Sequence, residues 1–258
     1  NLLVTSPRDQ IRMDVSINLY PLPIDEIEAI EARIDERYNV SSLIVPLGGI
    51  ALYPAMVLEY ASVPLLIETF AHEWLHHYLF FFPLGIHYFT VDGFSGDART
   101  INETTADLFG KEIARQVLAR YYPELVRPEP VNPPPENTQP EQTEPMPERF
   151  DFGDAMHETR ITVDALLAAG EVEDAERYMQ ERRELFYDNG YAIRKLNQAY
   201  FAFYGGYQAG GVPGIGGDDP IGPAIRDIRD ASANLQAFIV TMRDITTRDD
   251  LLRTANGP

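Results

Sequence analysis

The stretch Ala71-His72-Glu73-Trp74-Leu75-His76-His77-Tyr78-Leu79-Phe80 decides how this chain is read. It carries the pattern His72-Glu73-x-x-His76. On a helix, residues four apart stack on one face, a turn from each other. His72 and His76 can then aim two neutral imidazoles at a single cation, a donor set that suits tetrahedral Zn²⁺. Glu73 stands roughly 100° round the helix from His72. From there its carboxylate reaches a water beside the ion without binding the ion, which is the placement of a general base. The competing reading is an amphipathic core helix with two incidental histidines. A third ligand decides between them.

A catalytic zinc site takes three protein ligands and keeps one position open. Gly at 79 and His at 82 would extend the motif to the metzincin pattern; Leu79 and Phe82 exclude that class. His77 points about 100° away from His76 and reads as a surface residue or as one that supports a ligand from behind. His87 and Asp92 fall in an expected loop and are weaker alternatives. The strongest candidate lies in Asn102-Glu103-Thr104-Thr105-Ala106-Asp107. It belongs to a helix predicted over 98–121, with Asp97 as its N-cap. Glu103 and Asp107 share a face, so Glu103 can ligate while Asp107 accepts a hydrogen bond from a liganding histidine and sets its tautomer. A lone helical glutamate is ordinarily solvated; the Glu103/Asp107 pair behind His-Glu-x-x-His is not ordinary. Glu112 falls on the opposite face and is expected to be solvated.

His72-Glu73-Trp74-Leu75-His76, followed about one helix later by Asn102-Glu103-Thr104-Thr105-Ala106-Asp107, resembles the gluzincin metallopeptidases, the thermolysin-like group. The resemblance implies one Zn²⁺ per chain held by His72, His76 and Glu103, with Glu73 as base and Asp107 bonded to a liganding histidine. It also implies a zincin-like metallopeptidase core. The likeness covers residues 45–120, and the interval between its two helices is somewhat longer than in thermolysin. Beyond that stretch there is a looser likeness to small bacterial, membrane-associated gluzincins.

Composition narrows the function classes. The 258 residues carry 45% apolar side chains, enough for a proper core, and a net charge of −19. Such a surface repels nucleic-acid phosphates and disfavours anionic lipid. With no cysteine, any zinc must be held by histidine and carboxylate. The chain starts at Asn1 with no visible signal peptide. Any membrane anchor or export signal is expected upstream, which would make the protein extracytoplasmic or membrane-associated.

Taken in order, 2–5 reads as a strand and 11–19 is ambiguous. Residues 23–37 read as a surface helix with a stripe of Ile24, Ile27, Ile30 and Ile34. No charge occurs from Tyr38 to Leu58, yet Pro46, Gly48, Gly49 and Pro54 break any membrane span there. Two strands are expected instead, 42–45 and 50–58. In gluzincins an edge strand at this place pairs with substrate. Ile50, Ala51, Leu52 and Tyr53 are therefore expected to bind an extended peptide by strand addition, against the plainer alternative of a core strand. Residues 63–82 form the motif helix, apolar nearly all round. Asp92-Gly93 follows it too soon to complete an intramembrane protease. Residues 83–96 read as a loop, and 122–149, rich in Pro and Glu, as a linker.

The organisation expected is α+β and predominantly α: residues 1–121 with a small N-terminal sheet, a linker at 122–149, and a helical subdomain over 150–258. That last part is predicted to hold helices at 156–169, 172–186, 191–204, 223–231 and 234–242, the first stopped by Gly170. The glycine-rich run 210–217 lacks the Lys-Ser/Thr of a phosphate loop. A cleft between the two halves is the expected site.

The expected reaction is hydrolysis of a peptide or protein substrate. The developing oxyanion needs a donor besides the ion. Gluzincins supply a Tyr or His from the helical part, which here offers Tyr200, Tyr204, Tyr207 and His157, with Tyr204 favoured. Arg160 and Arg194 are candidates for a substrate carboxylate. The Glu-Asn pair with which gluzincin aminopeptidases bind a substrate amine is missing near Gly48-Gly49, which leaves endo- versus aminopeptidase open. The rival class is a catalytically silent zincin-like protein that binds peptides or proteins.

Overall fold

The computed structural model describes residues 1–51, 55–57, 62–90, 96–126, 150–209 and 211–257. Its architecture is α+β and mainly α: ten α-helices, one short 3-10 helix, a three-stranded antiparallel sheet and a two-stranded hairpin among the described residues. Three strands, β1 (Leu2–Pro7), β2 (Val15–Asn18) and β3 (Val40–Val45), pair antiparallel in the order β2-β1-β3. β1 is central and buried on both faces, so its run of apolar and small residues does not alternate. β2 is an edge strand with Val15 and Ile17 exposed.

Helix α1 (Ile24–Tyr38) connects β2 to β3 and ends at Asn39, whose φ of 53° is the left-handed conformation that asparagine tolerates. The expected isoleucine stripe is only part of what seats it. Ile24 is 55% exposed, whereas Glu31 is buried. Its carboxylate accepts from the Ile44 N–H at 2.6 Å and pairs with Arg194 at 2.6 Å and Lys195 at 3.5 Å. A buried carboxylate is tolerated when charge and N–H donors surround it.

After β3 the chain runs through 46–48 into a short hairpin, β4 (Gly49–Ile50) against β5 (Met56–Val57), with Ile50 opposite Met56. This corrects the expected single strand over 50–58. Ile50 pairs back on its own chain, and Pro54 lacks the N–H that a continuous ladder requires. Leu52 and Tyr53 lie outside the described residues. Three helices follow: α2 (Val63–Leu79), α3 (Pro83–Phe89) and α4 (Asp97–Tyr121). α3 replaces the first half of the expected loop; Pro83 opens it at a position where the missing N–H costs nothing.

The C-terminal helices are α5 (Phe152–Ala168), α6 (Val172–Asp188), α7 (Gln198–Tyr204), α8 (Ile221–Ala231), α9 (Leu235–Met242) and α10 (Arg248–Ala255). Gly170 does close α5, with φ of +79°. α7 is shorter than the helix expected over 191–204, because Asn197 caps it by accepting from the Tyr200 N–H. The sequence reading missed α10.

Two apolar cores result, and each draws side chains from both sides of the undescribed residues 127–149. Val4, Leu43 and Val45 of the sheet pack with Met156, Met179, Phe186 and Phe201. Leu75, Leu79, Leu84 and Ile101 pack with Ile225, Phe238 and Met242. No helix among the described residues is long and apolar enough to cross a membrane.

Candidate metal centre

α2 and α4 lie against each other where the motif falls. Gly110 of α4 makes the approach close: a Cβ there would sit 2.8 Å from the Glu68 carbonyl oxygen and 3.3 Å from His72 Cβ. His72 and His76 of α2 thereby face Glu103 of α4. Their nearest donor atoms form a triangle. The two Nε2 atoms are 3.0 Å apart, and Glu103 Oε2 lies 3.3 Å from His72 Nε2 and 3.4 Å from His76 Nε2. Ligands about 2.0–2.1 Å from a tetrahedral centre stand about 3.3–3.4 Å apart, so the triangle has the size of one face of such a tetrahedron.

The outer nitrogens set the tautomers. His76 Nδ1 donates to Asn102 Oδ1 at 2.7 Å, and His72 Nδ1 lies 3.3 Å from Asp107 Oδ1. With both rings neutral and protonated at Nδ1, the two Nε2 lone pairs face inward, beside a carboxylate oxygen that is buried without a hydrogen-bond partner. Three converging lone pairs repel unless a cation lies among them. These three residues form a buried group able to hold a metal ion.

Electrostatics agree. Burial pulls the His72 imidazolium down, but Asp107 and Glu103 outweigh it and push its pKa up to about 10. Burial pushes the Glu103 carboxyl up, but His76 and His72 hold it well below the usual carboxylate range. Without an ion, the centre claims a proton as its positive charge.

Glu73 is buried beside the two histidines. Its pKa is raised by burial, a shift that His72 and His76 only partly offset. A Cβ on Gly49 would stand 2.8 Å from its Oε1, so the glycine lets the backbone lie against the carboxylate. His72, Glu73 and Asp107 open onto a cavity of about 310 Å³ that is also lined by Pro46–Gly49, Thr69, Tyr204 and Tyr207. Ile50 and Ala51 do not line it; the stretch just before them does.

Tyr204 and Tyr207 both reach the cavity but differ in surroundings. Tyr204 packs on Tyr200 at 4.6 Å between ring centres. The Tyr207 ring stacks 6.3 Å from that of His72. Burial, then the neighbouring Glu103, pushes the Tyr207 phenol well above its ordinary pKa, so it stays a neutral donor. The other sequence candidates are engaged elsewhere. Tyr200 is buried in the sheet-side core, His157 lies 3.2 Å from Asp218, Arg160 pairs with Asp164, and Arg194 with Glu31. His87 is not part of the metal-binding group, and Asp92 lies outside the described residues. Glu112, expected in solvent, pairs with Arg229 at 2.7 Å.

Sequence reading missed three contributors. Asn102 precedes Glu103, and its role needed only the helical geometry of that neighbour. Tyr88, on the unexpected α3, donates to Glu103 Oε1 at 2.6 Å. Arg99 is buried and donates to the Ala202 and Phe203 carbonyls at the end of α7. No linear pattern announces either of these last two.

Known proteins add no relative. No family model matches the chain, and no curated protein or solved structure matches it.

Proposed function

We propose that the protein is a zinc-dependent metallopeptidase with a zincin-like core, hydrolysing peptide bonds in a peptide or protein substrate. The observation that carries this reading is the triangle of His72 Nε2, His76 Nε2 and Glu103 Oε2, with edges of 3.0, 3.3 and 3.4 Å, beside the buried carboxylate of Glu73. Two imidazoles and one carboxylate, with no thiolate in the chain, fit Zn²⁺.

A bound Zn²⁺ supplies Lewis acidity to a carbonyl oxygen and lowers the pKa of a nearby water. The remaining work falls to side chains. Glu73, made more basic by burial, takes the proton of the attacking water and delivers it to the leaving amine. Tyr207 donates its phenolic hydrogen to the developing oxyanion from the cavity wall. Asp107 and Asn102 hold the two imidazoles in the tautomer that leaves Nε2 free.

Metal analysis of the purified protein should find about one zinc per chain. Glu73→Gln should keep the zinc and abolish cleavage of a mixed peptide library. A wild-type chain that holds zinc and cleaves nothing would instead be a metal-bearing binding module.

A further inference from the structure

The two oxygens of Glu103 are not equivalent. Oε2 faces both imidazole Nε2 atoms and has no hydrogen-bond partner, whereas Oε1 accepts the Tyr88 hydroxyl at 2.6 Å. The Tyr88 ring lies parallel to that of His76, 6° between planes and 5.2 Å between centres. One side chain thus touches two of the three residues of the centre. Its helix is anchored independently: Leu84 is buried in the second core, and its N–H donates to the Arg243 carbonyl at 2.9 Å. Tyr88 does not line the cavity, whereas Tyr207 does. The two phenols therefore stand in different relations to the centre, one toward substrate and one behind the carboxylate.

We propose that Tyr88 is a positioning residue that restricts Glu103 to a single ligating oxygen and thereby sets which metal the centre prefers. The role rests on the metal-site reading above and extends it. A carboxylate can bind an ion through one oxygen or two. Large hard cations such as Ca²⁺ take six to eight oxygens and favour the two-oxygen mode. Zn²⁺ settles for four ligands. Turning Oε1 toward an ion would break a short hydrogen bond to a charged acceptor, which is among the stronger kind. It would also leave a half-buried phenol without its partner. The cost falls on ions that need the second oxygen and spares those that do not. Stacking on His76 makes the restraint rigid, because the ring cannot swing away without losing that contact.

The test uses Co²⁺ as a spectroscopic stand-in for Zn²⁺, in the wild-type chain and in Tyr88→Phe. Phenylalanine keeps the ring and its stacking and removes only the hydroxyl; circular dichroism checks that the variant folds. In Tyr88→Phe, zinc affinity should fall about 10- to 100-fold, the usual effect of losing a partner of a ligand. The visible Co²⁺ bands, intense in four-coordination, should weaken and shift as a further oxygen joins. Discrimination of Zn²⁺ against Ca²⁺ in competition should drop by at least the same order. Unchanged cobalt bands and unchanged affinity in a folded Tyr88→Phe would overturn this role while leaving the metal site standing. A wild-type chain that takes up neither ion would overturn the metal site, and the role with it.

Discussion

The guanidinium of Arg99 lies 5.7 Å from the centre of the Tyr207 ring. Arg99 belongs to α4, one turn before Glu103, and it also donates to the last carbonyls of α7. Thr104 adds a second tie from the same helix, donating to the Gly206 carbonyl and accepting from the Gln208 N–H. The helix that supplies the carboxylate of the centre therefore also holds the loop that carries the tyrosine facing it. This gives Tyr207 a fixed position relative to the metal group that Tyr204, packed on Tyr200, does not share. Tyr207→Phe should lower kcat about 10²- to 10³-fold, the scale of losing one oxyanion donor, with zinc content unchanged. Tyr204→Phe should stay within a few-fold. Steady-state kinetics on one cleaved peptide compares the two; equal losses would remove the distinction.

Metal uptake should release protons. In the ion-free centre His72 is held protonated near neutrality, its pKa pushed up to about 10. An ion can bind Nε2 only after that proton leaves, so apparent affinity rises with pH below that value, by up to about tenfold per unit. Competition titrations at pH 6, 7 and 8 measure the slope, and calorimetry in two buffers counts the proton. A flat profile would mean that His72 is neutral in the empty protein.

Gly110→Ala opposes two effects. Alanine in a helix interior gains about 1 kcal/mol over glycine. Here its Cβ would meet the Glu68 carbonyl at 2.8 Å, and backbone cannot step aside as a flexible side chain can. Overpacking of this kind costs about 1–3 kcal/mol, so the net change is expected to be destabilising. Because α4 would move off α2, zinc affinity should fall as well. Urea unfolding and zinc titration on the one variant read both.

Far from the centre, Glu31 carries a pH-dependent share of stability. Burial raises its pKa, but the Arg194 hydrogen bond, the Ile44 N–H and Lys195 outweigh that and hold the carboxyl below its ordinary value of 4.5. A depressed folded-state pKa contributes stability above the unfolded pKa, and that contribution is lost as pH falls through the folded value. Glu31→Gln should therefore cost about 3 kcal/mol at pH 7, the low end for removing one partner of a buried pair, since Arg194 and Lys195 are partly exposed. The gap between variant and wild type should narrow as pH is taken below 4.5. Denaturant melts at pH 7 and pH 4 test the sign.

Much of the centre was legible because its grammar is local. The four-residue spacing of His72 and His76, and of Glu103 and Asp107, follows from the helical period whatever surrounds it. The same period and the punctuation by Gly170 announced most of the helices. The single strand expected over 50–58 was misread because a strand's partner is chosen non-locally, and here the chain folds back on itself. Glu31 reads as one more charge on a surface helix until Arg194, far along the chain, arrives beside it.

The sequence by itself determined which side chains could ligate an ion and on which helical face they stand, since one turn of helix is enough to align them. Tertiary structure alone decided that the two helices meet at Gly110, that Tyr88 takes one oxygen of Glu103, and that Arg99 and Thr104 tie the segment bearing Tyr207 to the helix of Glu103. Those contacts join residues distant in sequence, and packing of both cores, rather than any local preference, brings them within bonding distance.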